Sequence, residues 1–513
     1  MQTYLFYDIE TTGLNKAFDQ VLQFAAIRTD VHLKELDRYE LNIKLNPDVI
    51  PSPYALITHH IGLKDMSHGL NEFSAIKQIH QWLNHPGTIS LGYNTLGFDD
   101  EFLRFSFYRN LLPPYTHQFA NDCSRMDLYP ITLMYYLYKP HVLQWPTIDG
   151  KKTFKLEHLS SLNQLATGRA HNAMVDVEAT LALAQRFFAE RDMWNYIKGY
   201  FNKKIDQERL QALPTTFTFN QIKSQTTLTS NQIHLSEYDK EPCGPTSSNI
   251  PIHTAEQIRK NQFDGALGLM IDGRLREQNY QTPVLYLGMH RHYKNQLMWL
   301  RLDSPDLLQT TEDTVSTTTA RMINKKKLGE PNFILPLKDR FTAQLPEEHR
   351  KRAQENQQWL TQHPDKLKTI TDYYTEYKYP VFPDTDIDAS LYLNGFYSAD
   401  DEKFCRLFHC ANPTEKARLT EYVKNPALYQ LAIRILGRHY PEVMTTEQKD
   451  KYTHYLKRIT PEEIKNALID FQGQPRMTPQ TALSDITKIR TQETLSPEQN
   501  KLLQELETYL LNF

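Results

Sequence analysis

Two carboxylates separated by one residue close the first apolar run of the chain, Tyr4-Leu-Phe-Tyr-Asp8-Ile-Glu10-Thr-Thr-Gly13. Residues i and i+2 of a strand face the same way, so a strand over residues 5–10 presents Asp8 and Glu10 side by side. Like charges that close repel, and in a largely buried strand both are also stripped of water. Such a pair is accommodated either by a divalent cation or by a strand that ends in solvent at the Thr11-Thr12-Gly13 turn. With a cation, further oxygen ligands have to converge on this strand from later in the sequence.

At 513 residues the chain exceeds the usual size of one core, which points to two or three domains. The formal charge of −3 creates no global basic field, so contact with a polyanion has to come from local clusters in a groove. Four cysteines, Cys123, Cys243, Cys405 and Cys410, are too few and too scattered for a disulfide framework and fit a reducing compartment. The start lacks a basic segment followed by a long apolar one, and no run of about 18 apolar residues occurs. The expectation is a soluble, unexported, cytoplasmic protein without a membrane span.

Apolar periodicity divides the chain into three textures. Residues 5–10, 21–28 and 39–45 read as strands, Phe73, Ile76, Ile79 and Leu83 form one stripe of a helix, and residues 88–93 read as a further strand. Helical patterns follow Phe98 and continue to Arg191, which makes this an α/β domain. From about 196 to 345 the composition turns to Thr, Ser, Asn and Gln with short β-like runs at 215–219, 283–289 and 296–302. Beyond 346 the chain is helical, with segments near 347–362, 399–409, 414–423, 426–438, 446–457, 460–471 and 496–511. The expected domains are residues 1–192, 193–345 and 346–513.

A second acidic site follows the strand that ends at Tyr93, in Gly92-Tyr-Asn94-Thr-Leu-Gly-Phe98-Asp99. Asp99 falls in the first turn of a helix, where free N–H groups and the helix dipole favour an anion. The third is Arg169-Ala-His171-Asn172-Ala-Met-Val-Asp176: Asn172 can cap the helix that carries Asp176 and leaves His171 in the loop before it. Taken singly, these are an ordinary acidic helix start, a surface histidine and a solvated aspartate. As an ordered set they are three independent coincidences.

Together these residues resemble the DEDDh family of 3′-to-5′ exonucleases, which have a ribonuclease-H-like fold; His-x4-Asp selects the histidine branch. Over its length the chain is similar to the bacterial exonuclease I family of single-strand-specific deoxyribonucleases. That similarity is carried by Phe24-Ala-Ala-Ile-Arg-Thr-Asp30, Phe98-Asp-Asp-Glu101, Asp122-Cys-Ser-Arg-Met-Asp127, Phe154-Lys-Leu-Glu-His-Leu159, Asp388-Ala-Ser-Leu-Tyr-Leu-Asn-Gly-Phe-Tyr-Ser398 and Arg438-His-Tyr-Pro441. The resemblance implies an α/β ribonuclease-H-like exonuclease domain, then an SH3-like β-rich domain and an α-helical C-terminal domain. It implies two-metal-ion hydrolysis of single-stranded DNA from 3′ to 5′, yielding 5′-mononucleotides, in DNA repair and recombination. The alternative is another DEDDh enzyme, a 3′-to-5′ exoribonuclease or a proofreading exonuclease.

By resemblance, Asp8 bridges both ions, Glu10 and Asp176 complete one shell, and Asp99 acts on the second. Hard oxygen ligands suit Mg²⁺, with Mn²⁺ as a substitute. His171 takes the proton from the attacking water, and imidazole, with a reference pKa of about 6.5, does so near neutrality. Single strands are held by basic groups along the backbone and rings under the bases. Family position makes Glu10, Arg104, Tyr115 and Phe119 substrate contacts. Lys155 stands where the family carries an arginine, and meets a phosphate as a point charge without bidentate geometry. His290-Arg-His-Tyr-Lys294 and Asn324-Lys-Lys-Lys327 are the basic clusters of the middle segment. The implied partners are single-stranded DNA and the C-terminal tail of single-stranded DNA-binding protein, with the chain acting as a monomer.

Overall fold

β1 (Thr3–Thr11) is buried on both faces except where Asp8 and Glu10 interrupt it, so it can only be an inner strand. It pairs antiparallel with β2 (Val21–Thr29), which pairs antiparallel with β3 (Glu35–Asn42). On its other edge it runs parallel to β4 (Thr88–Leu91), which runs parallel to β5 (Ser124–Arg125). The order β3-β2-β1-β4-β5 is the ribonuclease-H-like arrangement that the motifs led us to expect. In this computed structural model residues 1–216, 263–293, 295–311 and 313–513 are described; Phe217 to Phe219 of one expected strand, Cys243 and Lys294 lie outside the described residues.

The third strand lies at 35–42 rather than at the expected 39–45. As an edge strand it is largely exposed, so its first half, Glu35 to Arg38, needs no apolar alternation. The alternation that suggested 39–45 runs past the strand end, where Ile43 donates to the Leu22 carbonyl and forms an isolated bridge to Leu70. Helix α1 (Glu72–Leu83) starts at Asn71, whose side chain accepts from the Ser74 N–H at 2.9 Å. Buried Arg28 joins these parts: it donates to Thr3 Oγ1 at 2.8 Å, Thr88 Oγ1 at 2.9 Å and the Trp82 carbonyl at 2.8 Å. Strands β1, β2 and β4 and helix α1 are thereby fixed by one fully satisfied cation. Helices α2 (Asp99–Arg109), α3 (Leu156–Asn163) and α4 (Ala173–Phe188) carry the remaining motif residues.

The middle texture holds a second, antiparallel sheet of β6 (Leu267–Ile271), β7 (Gln281–Met289), β8 (Leu297–Arg301), β9 (Ile323–Lys326) and β10 (Phe333–Leu335), in the order β9-β8-β7-β6-β10. The expected strands at 283–289 and 296–302 are β7 and β8. Helices α5 (Glu347–Gln362) and α6 (Pro364–Glu376) belong to this sheet, because Ala353, Leu360 and Ile370 are buried with Leu267, Leu285, Met298 and Leu300. One compact unit therefore comprises residues 128–154 and 185–379, and the other 1–127, 155–184 and 380–513. This division departs from the expected boundaries at 192 and 345. A change of texture marks a change of element type, whereas a compact unit is set by which apolar faces share a core.

The C-terminal helices are α7 (Ala399–Cys410), α8 (Pro413–Leu419), α9 (Pro426–His439), α10 (Thr446–Ile459), α11 (Pro479–Gln492) and α12 (Pro497–Leu511). The expected helix over 460–471 is absent apart from a single turn at Ile464–Asn466. Instead Ile469 bridges Thr385 and Pro475, and Asp470 accepts the N–H groups of Gln472 and Gln474 in a tight turn. These helices share a continuous core with the N-terminal sheet: Phe18, Leu22, Ile50, Phe73 and Phe105 are buried with Leu391, Phe408, Leu431 and Leu503. Among the described residues no helix is long and apolar enough to cross a membrane, and Cys123, Cys405 and Cys410 are free thiols.

A buried ionic network crosses the same junction. Asp48 accepts from Arg438 Nη2 at 2.7 Å and from the Tyr455 hydroxyl at 2.6 Å, and Arg476 lies 3.5 Å away. Arg438 also pairs with Asp388 at 2.6 Å, and Arg434 pairs with Asp386 at 2.5 Å and Asp388 at 2.9 Å. Burial alone would raise the Asp48 carboxyl, but Arg438 and Arg476 hold it well below the usual carboxylate range. Asp48→Ala leaves two guanidinium groups buried beside a missing anion. We expect it to cost the full chain about 3–5 kcal/mol in urea unfolding; a loss under about 1 kcal/mol, the value of an exposed pair, would show that the network is solvated.

Candidate active site

Asp8 and Glu10 leave the same face of β1, while Ile9 between them turns the other way and is 4% exposed. The Ile9 N–H donates to Asp99 Oδ1 at 3.2 Å, which brings the first turn of α2 against the strand between the two carboxylates. The loop from β4 into α2 makes that approach possible. A Cβ at position 92 would lie 2.4 Å from the Tyr7 carbonyl oxygen, so only glycine lets the loop pass β1 this closely. Asn94 follows at φ +64°, and Asp127 fixes the turn by accepting from the N–H groups of Asn94 at 2.9 Å and Leu96 at 3.1 Å.

Helix α4 comes in from the other side. Asn172 caps it, accepting from the Val175 N–H at 3.3 Å, as its position predicts. Gln23, the cross-strand partner of Glu10, accepts the Ala173 N–H at 3.2 Å and so fastens the helix start opposite Glu10. One ligand atom from each of Glu10, His171 and Asp176 then lies within 4.8 Å of the others. His171 holds a left-handed backbone at φ +62°, and its N–H donates to Asp176 Oδ2 at 3.0 Å. Its Nε2 is 3.4 Å from Glu157 Oε2. A cleft of about 530 Å³ opens beside Asp176, bordered by Glu157, Ser160, Gln164, Gly168 and Val175.

Every carboxylate of this group is pushed towards its neutral form. Burial raises Asp8 well above its ordinary value, and the charges of Asp99, Glu10 and Asp176 add to it. Burial, then Asp176 and Asp99, push Glu10 up to about 9. Asp99 reaches about 8, chiefly through burial, with the N–H groups of Asp99 and Ile9 opposing it and Asp127 and Asp100 adding to it. Asp176 is raised by burial to about 6, with His171 partly offsetting it. Four such groups cannot all ionise near neutrality unless a cation joins them. Clustered hard oxygens fit a small divalent cation with oxygen preference, for which Asp8, Glu10, Asp99 and Asp176 would be the donors.

A family model for exonucleases matches residues 5–184, and one for the exonuclease I C-terminal domain matches residues 385–513. Exodeoxyribonuclease I of Escherichia coli strain K12 is 27% identical over 476 residues, 92% of each chain. Its namesake from Buchnera aphidicola subsp. Schizaphis graminum is 38% identical over 185 residues, 36% of this chain and 38% of that one. The crystal structure of E. coli exonuclease I in complex with a dA16 oligonucleotide superimposes at a TM-score of 0.78 with 22% identity and full coverage of both chains. The chain thus carries an exonuclease domain and an exonuclease I C-terminal domain, and it is similar to exonuclease I over nearly its whole length. Its fold is accordingly a ribonuclease-H-like exonuclease domain, an SH3-like β-rich domain and an α-helical C-terminal domain.

Outside the five motif residues, this exonuclease I relative places the expected contact residues unevenly. Phe119 is 66% exposed, Tyr115 is half-buried, and Lys155 is exposed with its Nζ 3.3 Å from Glu157. Arg104 is largely buried, its Nε 3.1 Å from Asp100 Oδ2. In the middle segment Lys326 is fully buried 2.8 Å from Asp206, which removes it from any surface cluster. Sequence reasoning overlooked the supporting residues Gln23, Asp127 and Glu157. Asp127 and Glu157 lie inside stretches that carry the family resemblance, which was the available signal; Gln23 has none beyond facing Glu10.

The raised carboxylates fix a sign for stability. A group that binds its proton more tightly folded than unfolded makes stability fall as pH rises between its two pKa values. Without a divalent ion the protein should lose stability from about pH 4, where unfolded carboxylates titrate, up to about 9, where Glu10 does. Mg²⁺ or Mn²⁺ should raise the melting temperature more at about pH 8.5 than at about pH 5.5. Asp8→Asn should raise the metal-free melting temperature and abolish the metal-induced gain. Equal metal effects at both pH values would count against the site.

Proposed function

We propose that this chain is a divalent-metal-dependent exodeoxyribonuclease that removes 5′-mononucleotides from the 3′ end of single-stranded DNA, with Mg²⁺ as the working ion and Mn²⁺ as a substitute. The observation that carries this reading is the meeting of Asp8, Glu10, Asp99 and Asp176, from three separate segments, with His171 at their edge. When bound, a pair of such ions supplies charge stabilisation at the phosphoryl oxygens and at the departing 3′ oxygen. Asp8, Glu10, Asp176 and Asp99 hold that charge in place, and they are preorganised for it because their own repulsion is relieved only by a cation.

His171 receives the proton of the attacking water. It is not locked in the core: its side chain is 45% exposed. Its backbone is tied to Asp176, so the imidazole stays beside the acidic group whichever rotamer it takes. Glu10, at the edge of the cluster, also faces the terminal nucleotide in this reading. In this reading Phe119 and Lys155 offer a ring and a cation to the strand, with Arg104 and Tyr115 as further contacts. The family resemblance alone supports two further parts of the proposal: a cytoplasmic monomer, and docking of the acidic, apolar C-terminal tail of single-stranded DNA-binding protein.

Matched DNA and RNA oligonucleotides carrying a 5′ label separate this reading from that of an exoribonuclease. Shortening of the DNA from its 3′ end with Mg²⁺, and none in chelator, is the expected result; equal or faster loss of RNA would overturn the substrate assignment. Asp8→Ala should fall to background. His171→Ala should slow the single-turnover step by about 10²- to 10⁴-fold, while keeping the metal-induced rise in melting temperature. A variant at His171 with wild-type turnover would remove it from the chemistry.

A further inference from the structure

The loop that delivers His171 is held from outside. Helix α3 ends at Asn163 and α4 begins at Ala173, and the backbone between them enters the left-handed region at Gln164 (φ +52°), Gly168 (φ +142°) and His171 (φ +62°). Gln164 and His171 carry a Cβ, for which that region is costly. The loop start is fixed by the Leu165 N–H, which donates to the Ser160 carbonyl at 3.1 Å, and the loop end by the His171 N–H on Asp176. Gly168 presses on the first turn of α4, where a Cβ would meet Val175 Cγ2 at 2.7 Å. Backbone kept in disfavoured conformations beside a reactive group persists because its surroundings impose them.

Part of that constraint comes from the far end of the chain. Arg169, two residues before His171, donates through Nη1 and Nη2 to Glu498 Oε1 and Oε2 at 3.1 and 2.9 Å, a two-pronged pairing that fixes direction as well as distance. Glu498 lies in the first turn of α12, and that turn is itself anchored. Ser496 Oγ accepts the Gln499 N–H at 3.2 Å, and Gln499 Oε1 accepts the Ser496 N–H at 2.9 Å. Gln499 Nε2 donates to the Ile57 carbonyl at 3.0 Å, in the short helix Pro53–His59, and His60 at the end of that helix brings its Nδ1 to 3.5 Å from Glu498 Oε2. Further along α12, Leu503 and Leu506 are fully buried in the shared core. The carboxylate is therefore a fixed point to which the loop is tied. Arg169 and Glu498 are both about half exposed, so their pair adds little to the stability of the whole fold. Its effect is local, because removing one contact of this size is enough to redistribute a loop among its arrangements.

We propose that Glu498 is a positioning residue for the hydrolytic step: through Arg169 it holds the 164–172 loop in the arrangement that keeps the His171 imidazole beside the acidic group. The proposal rests on the reading of His171 as proton acceptor and deepens it by making the rate of the chemical step depend on the C-terminal helix.

The test compares Arg169→Ala, Glu498→Ala and the double variant in the full chain, with a 5′-labelled single strand under single-turnover conditions. Each single variant should slow the Mg²⁺-dependent step by about 5- to 100-fold, and the double variant should be no slower than the slower single one within about twofold. Affinity for the uncut strand in chelator and the Mn²⁺-induced rise in melting temperature should match wild type in all three, which sets the pair apart from a strand contact and from a metal ligand. In a His171→Ala background neither substitution should slow the step further, a dependence that a merely structural pair lacks. Wild-type rates in both single variants, or an undiminished effect of Glu498→Ala once His171 is gone, would overturn the proposal. So would a loss confined to Arg169→Ala, which marks an arginine acting on the strand itself. If His171→Ala turns over like wild type, the proton-acceptor reading falls and the proposal with it; a slow His171→Ala beside fast Arg169 and Glu498 variants refutes the pair and leaves that reading in place.

Discussion

Mutual repulsion among four carboxylates at the end of one inner strand is the constraint around which the exonuclease half of this protein is built. Asp8 and Glu10 cannot turn away from each other, because the pleat that buries Tyr7 and Ile9 puts them on one face. Asp99 and Asp176 could have faced water at little cost; instead a backbone N–H of β1 holds one and the His171 N–H the other. The folded chain thus spends part of its stability to keep negative charge concentrated at one point of its surface. That arrangement is stable only if the frame around it cannot relax, since a shift of β4 or α4 by a few ångströms would let the charges separate.

The frame is rigid because its own polar groups are satisfied. Arg28 fixes β1, β2, β4 and α1 through hydroxyl and carbonyl oxygens, so its charge is met without drawing a carboxylate into the core. Asp48, Arg438, Asp388, Arg434 and Asp386 bind the C-terminal helices to the exonuclease sheet by alternating charges in a buried row. A row of this kind gains little over a well-packed apolar interface, but it tolerates no other register, because any slip leaves a buried charge unpaired. The shared apolar core supplies the affinity between these two parts and the ionic row supplies the alignment.

What could be read from the sequence follows from how local each determinant is. Strands β1, β2, β7 and β8 and helices α1, α5, α7, α9, α10 and α12 declare themselves by periodicity, and Asn172 declares the start of α4. The grouping of α5 and α6 with the β-rich unit does not, because their stripes are equally apolar whichever core receives them. The false helix at 460–471 and the overlooked α11 have a common cause. Apolar spacing in Ile464 to Phe471 imitates a helix although Asp470 turns the chain. The stripe Ala482, Ile486 and Ile489 is sparse enough to pass as a polar linker until its burial is seen. The five motif residues were readable as a set, while Gln23, which aligns α4 with Glu10, depends on a cross-strand register that no local pattern contains.

The neighbouring aspartates of α2 show why position in a motif alone does not decide a role. Asp100 is fully buried, yet Arg125 at 2.6 Å, His117 at 2.8 Å and Arg104 at 3.1 Å surround it, and the two guanidinium charges with the His117 hydrogen bond outweigh the burial that would otherwise raise its carboxyl. It is a structural anion whose charge is already spoken for, and it immobilises the very arginine that family position assigns to the bound strand. Asp99, one residue earlier, meets only two backbone N–H groups and further carboxylates, and burial drives it up to about 8. Of two identical side chains in one helical turn, one therefore has its counter-charge built into the fold and the other requires one from outside. The difference arises from 100° of helical rotation. It makes Asp99, and not Asp100, the member of the pair that can respond to an arriving ion.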